Sequence, residues 1–376
     1  MKESCLVIAG EKSGEDHAMT FLPELIESLP DVQFYGVGGS RLESMNVELM
    51  YHLKDFSGIG ISEVLSKIPF YYKALDEIVL QVKKRNTKTA ILIDFQGFNL
   101  KLAKKLKNLG VNVLYYVAPQ AWVWKPWRSK VLEKNVHTLF TILPFEKEWF
   151  RNRGVTKVKS VVHPLMIEYK NELQDIPNKN IADLDVRALK LLVLPGSRNV
   201  EVSTLKPIFE RAIKLLLEDG IKIELGIVKS ESVRSEHYDS DLKYQFDWAS
   251  TDLAKALKWA DISIAASGTV TLATGLFHLP TVVCYKVSLF TELVLNLLVP
   301  YKGPASLTNI ILGKMIFPEL IQYRADRYNI AKHIKEMISS PKQYDTIVEE
   351  LKRTESLLTG DDFSVSDYMK NVIKNG

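Results

Sequence analysis

Residues 89–117, TAILIDFQGFNLKLAKKLKNLGVNVLYYV, hold the fold in miniature. Thr89 to Ile93 is a short apolar run of strand length. Asp94-Phe95-Gln96-Gly97-Phe98-Asn99 follows, and Leu102, Ala103, Leu106 and Leu109 then recur at helical spacing across Leu100 to Leu109. Val111 to Val117 is a second strand-like run. Strand, helix and strand in this order predict a βαβ unit of a parallel sheet.

The alternation extends both ways. Ser4 to Ala9, Gln33 to Val37 and Thr138 to Leu143 are further strand candidates, and Tyr71 to Val82 places Leu75, Ile78, Val79 and Val82 on one helical face. A helix is also expected over Thr20 to Leu29, although Pro23 inside it removes a donor and clashes one turn back. After Val161-Val162-His163-Pro164 the chain turns polar and aperiodic from Tyr169 to Arg187, then restarts at Leu189 to Leu194. The second half predicts a helix near Val202 to Glu218, strands Lys222 to Val228 and Asp261 to Ala265, a helix Thr269 to Phe277 and a strand Thr281 to Tyr285. The expected architecture is α/β, with two Rossmann-like doubly wound parallel-sheet domains facing across a cleft. The first would span 1–165, with a C-terminal helix at about 360–376 packing back on it; 166–187 would be a linker and 188–355 the second domain.

Bulk properties agree. At 376 residues the chain exceeds the size at which one hydrophobic core stops growing, and 46% hydrophobic with 25% charged residues suits a globular protein. Cys5 and Cys284 lie far apart in apolar runs, which reads as core packing in a reducing compartment without a disulfide or a zinc site. The N-terminus resembles neither a signal peptide nor an anchor. The longest greasy segment, Ser288 to Pro300, contains Glu292 and Asn296 and is shorter than the roughly 20 residues a membrane span needs, yet it could lie on a membrane. A net charge of +4 favours anionic surfaces or phosphorylated ligands, and no aromatic-interleaved basic motif points to nucleic acid.

In doubly wound sheets, ligands bind beyond the carboxyl ends of the strands. Ala9-Gly10-Glu11-Lys12-Ser13-Gly14 and Gly36-Val37-Gly38-Gly39 are small, polar loops that suit a backbone close to a ligand, with ordinary βα turns as the plainer reading. His17, beyond the first, is a candidate base or a simple helix-start residue. Asp94 sits at the carboxyl end of a buried strand and is the best candidate general base, against a helix-capping role. Tyr116 to Arg128 holds three of the six tryptophans; aromatic faces suit sugars or acyl chains, Lys125 and Arg128 suit a phosphate, and a roof over the sheet is the alternative. Leu194-Pro195-Gly196-Ser197-Arg198 and Ala266-Ser267-Gly268-Thr269 each follow a strand and open a helix. There, amides and Arg198 would neutralise a diphosphate, unless these are plain caps.

Taken in order, these loops resemble the lipid A disaccharide synthases, bacterial glycosyltransferases of GT-B fold. The likeness runs through Ala9 to Gly14, Gly36 to Gly39, 60–65, Ile93-Asp94 with Phe98-Asn99, Tyr116 to Trp124, Leu143 to Glu146, His163 to Leu165, Leu194 to Arg198 with Glu201, Ser267 to Thr269, Ser306 to Asn309 and Pro318 to Gln322. It implies transfer from a UDP-diacylglucosamine donor to a diacylglucosamine 1-phosphate acceptor, with inversion and no metal or organic cofactor. It further implies a peripheral place on the cytoplasmic face of the inner membrane and leaves a homodimer open. Asp94 and Arg198 take the catalytic positions. Ser13, Gly14, Gly38, Gly39, Asn99, Gln120, Trp122, Ser197, Glu201, Ser267, Gly268, Thr269, Asn309, Glu319 and Gln322 take binding positions. Residues 68–72 and 288–299 become candidate docking patches for acyl chains, or core. The chain departs from the family at Glu15, Gln96-Gly97, Val162 and Ala273, the last standing where a glutamate able to grip the UDP ribose is usual, with Glu319 a possible substitute. The competing readings are a UDP-N-acetylglucosamine 2-epimerase-like enzyme and a catalytically silent nucleotide-sugar or lipid binder.

Overall fold

The computed structural model describes residues 3–56, 67–184, 186–287, 292 and 301–375. The matched stretch 60–65 lies outside the described residues, and so does the greasy segment 288–300 apart from Glu292. The chain divides into two compact units, Met1–Glu168 with Leu358–Gly376, and Tyr169–Leu357.

Unit 1 carries seven strands: β1 Ser4–Ala9, β2 Gln33–Gly38, β3 Glu48–His52, β4 Thr89–Ile93, β5 Asn112–Tyr116, β6 Thr138–Thr141 and β7 Val158–Ser160. All pair in parallel, in the order β3-β2-β1-β4-β5-β6-β7. Alternate residues of β1 enter different clusters: Cys5, Val7 and Ala9 pack with Leu22, Leu25 and Met369, whereas Leu6 and Ile8 pack with Ile78, Leu102 and Leu106. Both faces are thus covered, which is why the strand is apolar at successive positions. The helix Val365–Lys374 supplies part of that cover, and its Ser366 Oγ donates to Phe21 O (3.0 Å) and Glu24 Oε2 (2.8 Å).

Two helix boundaries differ from expectation. The helix after β4 is Gln96–Lys107; it stops before Leu109 because Gly110 takes a left-handed turn (φ 77°), and Leu109 is left exposed. The early helix shortens to Leu22–Glu27, placing Pro23 in its first turn, where a missing N–H removes no intrahelical bond.

Unit 2 repeats the plan with β8 Leu189–Leu194, β9 Ile223–Lys229, β10 Phe246–Ala249, β11 Ile262–Ala266, β12 Thr281–Tyr285 and β13 Glu319–Ile321, ordered β10-β9-β8-β11-β12-β13 and again parallel. In each sheet the strand order reverses once, between β1 and β4 and between β8 and β11. These are the switch points where ligand crevices open.

Residues 169–187, inside the expected linker, are tied to unit 2. Lys179, almost fully buried, donates from Nζ to Leu257 O (2.7 Å), Lys258 O (2.9 Å) and Ala260 O (2.6 Å). These carbonyls end the helix Leu253–Trp259, where orphan acceptors and the negative dipole end favour a cation. Lys179→Met keeps the apolar stem and strips three bonds, so it is expected to lower stability by about 2–4 kcal/mol. A shift of the urea midpoint to lower denaturant, against wild type, checks this.

Candidate active site

At the switch point of unit 1 the loops after β1 and β4 meet. A Cβ on Gly10 would run into the Phe95 ring, so only glycine lets the first loop lie this close to the second. Asp94 and Phe95 are consecutive left-handed residues, with φ of 45° and 44°, a conformation that costs about 1–3 kcal/mol per residue and persists only where neighbours enforce it. Here Asn99 Nδ2 donates to Ile93 O (3.1 Å) and Asp94 O (2.9 Å), and the Tyr115 hydroxyl donates to Asp94 O (2.9 Å). The backbone is held, and Asp94 as a residue is partly buried. Burial, then the nearby Glu11 charge, pushes that carboxyl up to about 6, whereas the Phe95 amide pulls it down. A group with that value is a carboxylate at neutral pH and accepts a proton more readily than an ordinary aspartate.

Loop braces surround it. Glu15, nearly buried, accepts from Gly39 N (2.8 Å) and Leu42 N (3.1 Å), so it pins the glycine loop after β2 to the helix after β1. Glu146, fully buried, accepts from Trp122 Nε1 (3.0 Å) and Leu143 N (3.2 Å); burial pushes its carboxyl up to about 7. Trp122 also meets Phe145 edge-on, which makes it a wall of the loop. His17 is partly buried and pulled down to about 4 by desolvation, so its imidazole is neutral. The patch at 68–72 divides: Phe70 and Tyr71 pack on the core, while Ile68 and Tyr72 are 41% and 52% exposed.

In unit 2 the loop after β8 turns through Gly196 (φ 114°), where a Cβ would strike the Glu201 carboxylate. Glu201 folds back to accept from Ser197 N (3.2 Å) and pairs with Arg198 Nη1 (2.7 Å). The Arg198 side chain is 80% exposed at the head of the long helix Asn199–Glu218, where the positive end of the helix dipole and the first backbone amides also lie. Beyond β11, Gly268 opens on space in which a Cβ would meet nothing within 4 Å. Thr271 and Thr308 join that loop to residues 305–309 through Leu307 N to Thr271 Oγ1 (3.2 Å) and Thr308 Oγ1 to Thr271 O (2.5 Å).

The fifteen sequence-predicted binding residues divide into exposed, buried and half-buried positions, the last being Trp122, Glu201, Ser267 and Glu319. Ser13, Gln120, Ser197, Gly268 and Thr269 are exposed at the loop rims. Gly14, Gly38, Gly39, Asn99 and Asn309 are buried and shape the loops from behind. Asn309 accepts from Ile316 N and Phe317 N and donates to Phe317 O and Glu319 Oε1; Glu319 accepts in turn from Ala305 N (2.7 Å) and Ser306 N (2.9 Å). Gln322 is bonded to both backbone groups of Val287. With Ala273 buried and both Glu319 oxygens engaged, neither position presents a free carboxylate to a ribose. Glu15, Glu146 and Tyr115 had no assigned role from sequence. Glu146 carries a signal as the end of the family-like stretch Leu143-Pro144-Phe145-Glu146 and Glu15 as a departure from the family pattern, while Tyr115 carries none.

Two doubly wound parallel-sheet units in one chain make up a GT-B fold. Solved structures agree on the fold. The glycotransferase of kitacinnamycin matches with a TM-score of 0.60 at 10% identity, over 99% of this chain and 100% of that one. The UDP-GlcNAc 2-epimerase of Neisseria meningitidis matches at 0.55 and 10%, over 99% and 100%. At such identities the likeness speaks for the fold alone. The chain belongs to the lipid-A-disaccharide synthetase family, whose model matches residues 5–368. The lipid-A-disaccharide synthase of Myxococcus xanthus is 33% identical over 335 residues, 88% of this chain and 86% of that protein.

Proposed function

We propose that this chain transfers a diacylglucosamine unit from UDP to a diacylglucosamine 1-phosphate acceptor. Asp94 takes the proton of the acceptor hydroxyl, whose oxygen forms the new bond at the anomeric carbon as the bond to UDP breaks with inversion. Arg198 and the amides at 197–199 and 267–269 neutralise the diphosphate that leaves. The observation that carries the reading is the pairing of a proton-ready Asp94 at one switch point with family membership over nearly the whole chain. The epimerase reading draws only on shared fold and is set aside.

We place this work at the cytoplasmic face of the inner membrane; the acyl chains of both proposed substrates support a membrane surface as the place of reaction. Exposed Ile68 and Tyr72 suit shallow contact there, and no described helix is long and apolar enough to cross a membrane. Incubation with both synthetic diacyl substrates is expected to yield a disaccharide 1-phosphate and one UDP per product, read by mass spectrometry. Hydrolysis of the donor alone, or an epimer from UDP-N-acetylglucosamine, would refute the assignment.

A further inference from the structure

Arg128 opens the helix Arg128–Asn135 and is only 7% exposed. Its Nη1 donates to the side-chain oxygen of Gln96, its guanidinium lies 5.4 Å from the centre of the Trp124 ring, and its Nε has no hydrogen-bond partner. Gln96 and Trp124 are both neutral, and among the described residues no carboxylate makes an ion pair with this cation. A buried charge is ordinarily paired, because water removed from it must be replaced. Lys125 stands on the same ring, with Nζ 3.9 Å from its centre, held there by a left-handed backbone (φ 58°) that a lysine adopts only under constraint. Two cations therefore lie close to the Trp124 ring, and among the described residues neither has a carboxylate ion pair.

The cluster adjoins the candidate base. Gln96 lies two residues beyond Asp94, and Tyr115, whose hydroxyl bonds the Asp94 carbonyl, is within electrostatic reach of both Asp94 and Arg128. An arginine fork matches two oxygens of a phosphate, and a lysine adds a point charge.

We propose that Arg128, with Lys125 beside it, seats a phosphate monoester carried by the acceptor sugar, and so selects phosphorylated acceptors while Asp94 receives a proton from the same sugar. The identity of the acceptor rests on the transfer reaction proposed above; the anion seat rests on the cluster itself. The test compares diacylglucosamine 1-phosphate with its dephosphorylated counterpart, in direct binding and in turnover, for wild type and Arg128→Met. Wild type is expected to favour the phosphorylated sugar by about 10²-fold in both measurements, and Arg128→Met to erase that preference while binding the dephosphorylated sugar as wild type does.

An equal loss on both acceptors would overturn the proposal, since it would mean that Arg128 only braces Gln96 and the Asp94 loop. A preference retained in the variant, or none in wild type, would overturn it too. If wild type binds with the phosphate preference but transfers no sugar, the transfer reading fails and the anion seat stands. Should Arg128→Met not fold, Arg128→Lys, which keeps the charge and loses the fork, is expected to lose most of the preference, and an unchanged preference there counts against the proposal.

Discussion

Asp94→Asn is expected to lower kcat by about 10²–10⁴-fold, the range a positioned general base contributes. The variant keeps size and hydrogen-bonding capacity, so the Asp94–Phe95 backbone, held from Asn99 and Tyr115, stays in place. The pH profile separates this from a structural loss. Because burial sets the Asp94 carboxyl at about 6, wild-type kcat/KM rises with pH through that value as the base ionises, and the variant lacks this limb. Stability moves the other way. Between the ordinary aspartate value and about 6, the folded protein holds a proton that the unfolded chain has released, so wild-type stability falls as pH rises through that window. Asparagine escapes that loss and is expected to be the more stable protein above pH 6, read as a higher urea midpoint. Near-wild-type rates for Asp94→Asn would remove the aspartate from the chemistry.

Arg198→Ala is the second large effect, a fall of about 10²–10³-fold in kcat, comparable with loss of one preorganised group that stabilises developing charge. The side chain is 80% exposed and its pair with Glu201 lies at the surface, so the unfolding midpoint should shift by no more than about 0.5 kcal/mol-equivalent. Rate loss without stability loss is the signature of a group acting on substrate. Initial rates with donor and acceptor varied in turn check it. A loss confined to acceptor KM would contradict a role on the leaving diphosphate.

The central strands were legible because a parallel sheet covered on both faces demands apolar residues at successive positions, as in Thr89–Ile93 and Leu189–Leu194. The sheet margins were not. Glu48–His52 and Phe246–Ala249 are only partly buried and mix polar with aromatic residues, while Val158–Ser160 and Glu319–Ile321 have three residues each, too few to show a period. In the site, position along the chain identified the right loops without saying which way a side chain turns. Asn99, Glu201 and Glu319 look like ligand contacts in sequence, yet each also bonds loop backbone, and Glu201 and Glu319 bond the Arg198 and Asn309 side chains as well. Tight βα turns leave such groups unpaired, and nearby polar side chains satisfy them. Glu15 shows the same ambiguity from the other side, since its bond from Gly39 joins a helix to a loop 24 residues further along the chain.

The helix Val365–Lys374 packs on Leu22 and Leu25, yet it follows all of residues 169–357 in the sequence. At about 5–20 residues per second, a ribosome needs roughly ten to forty seconds to make that intervening stretch. Throughout that interval the nascent first unit leaves open the surface that Met369 and Ile373 later cover, beside Phe21 and Phe140. The first unit is therefore completed only once residues 365–374 have been made, and until then that face of its sheet keeps an apolar surface uncovered.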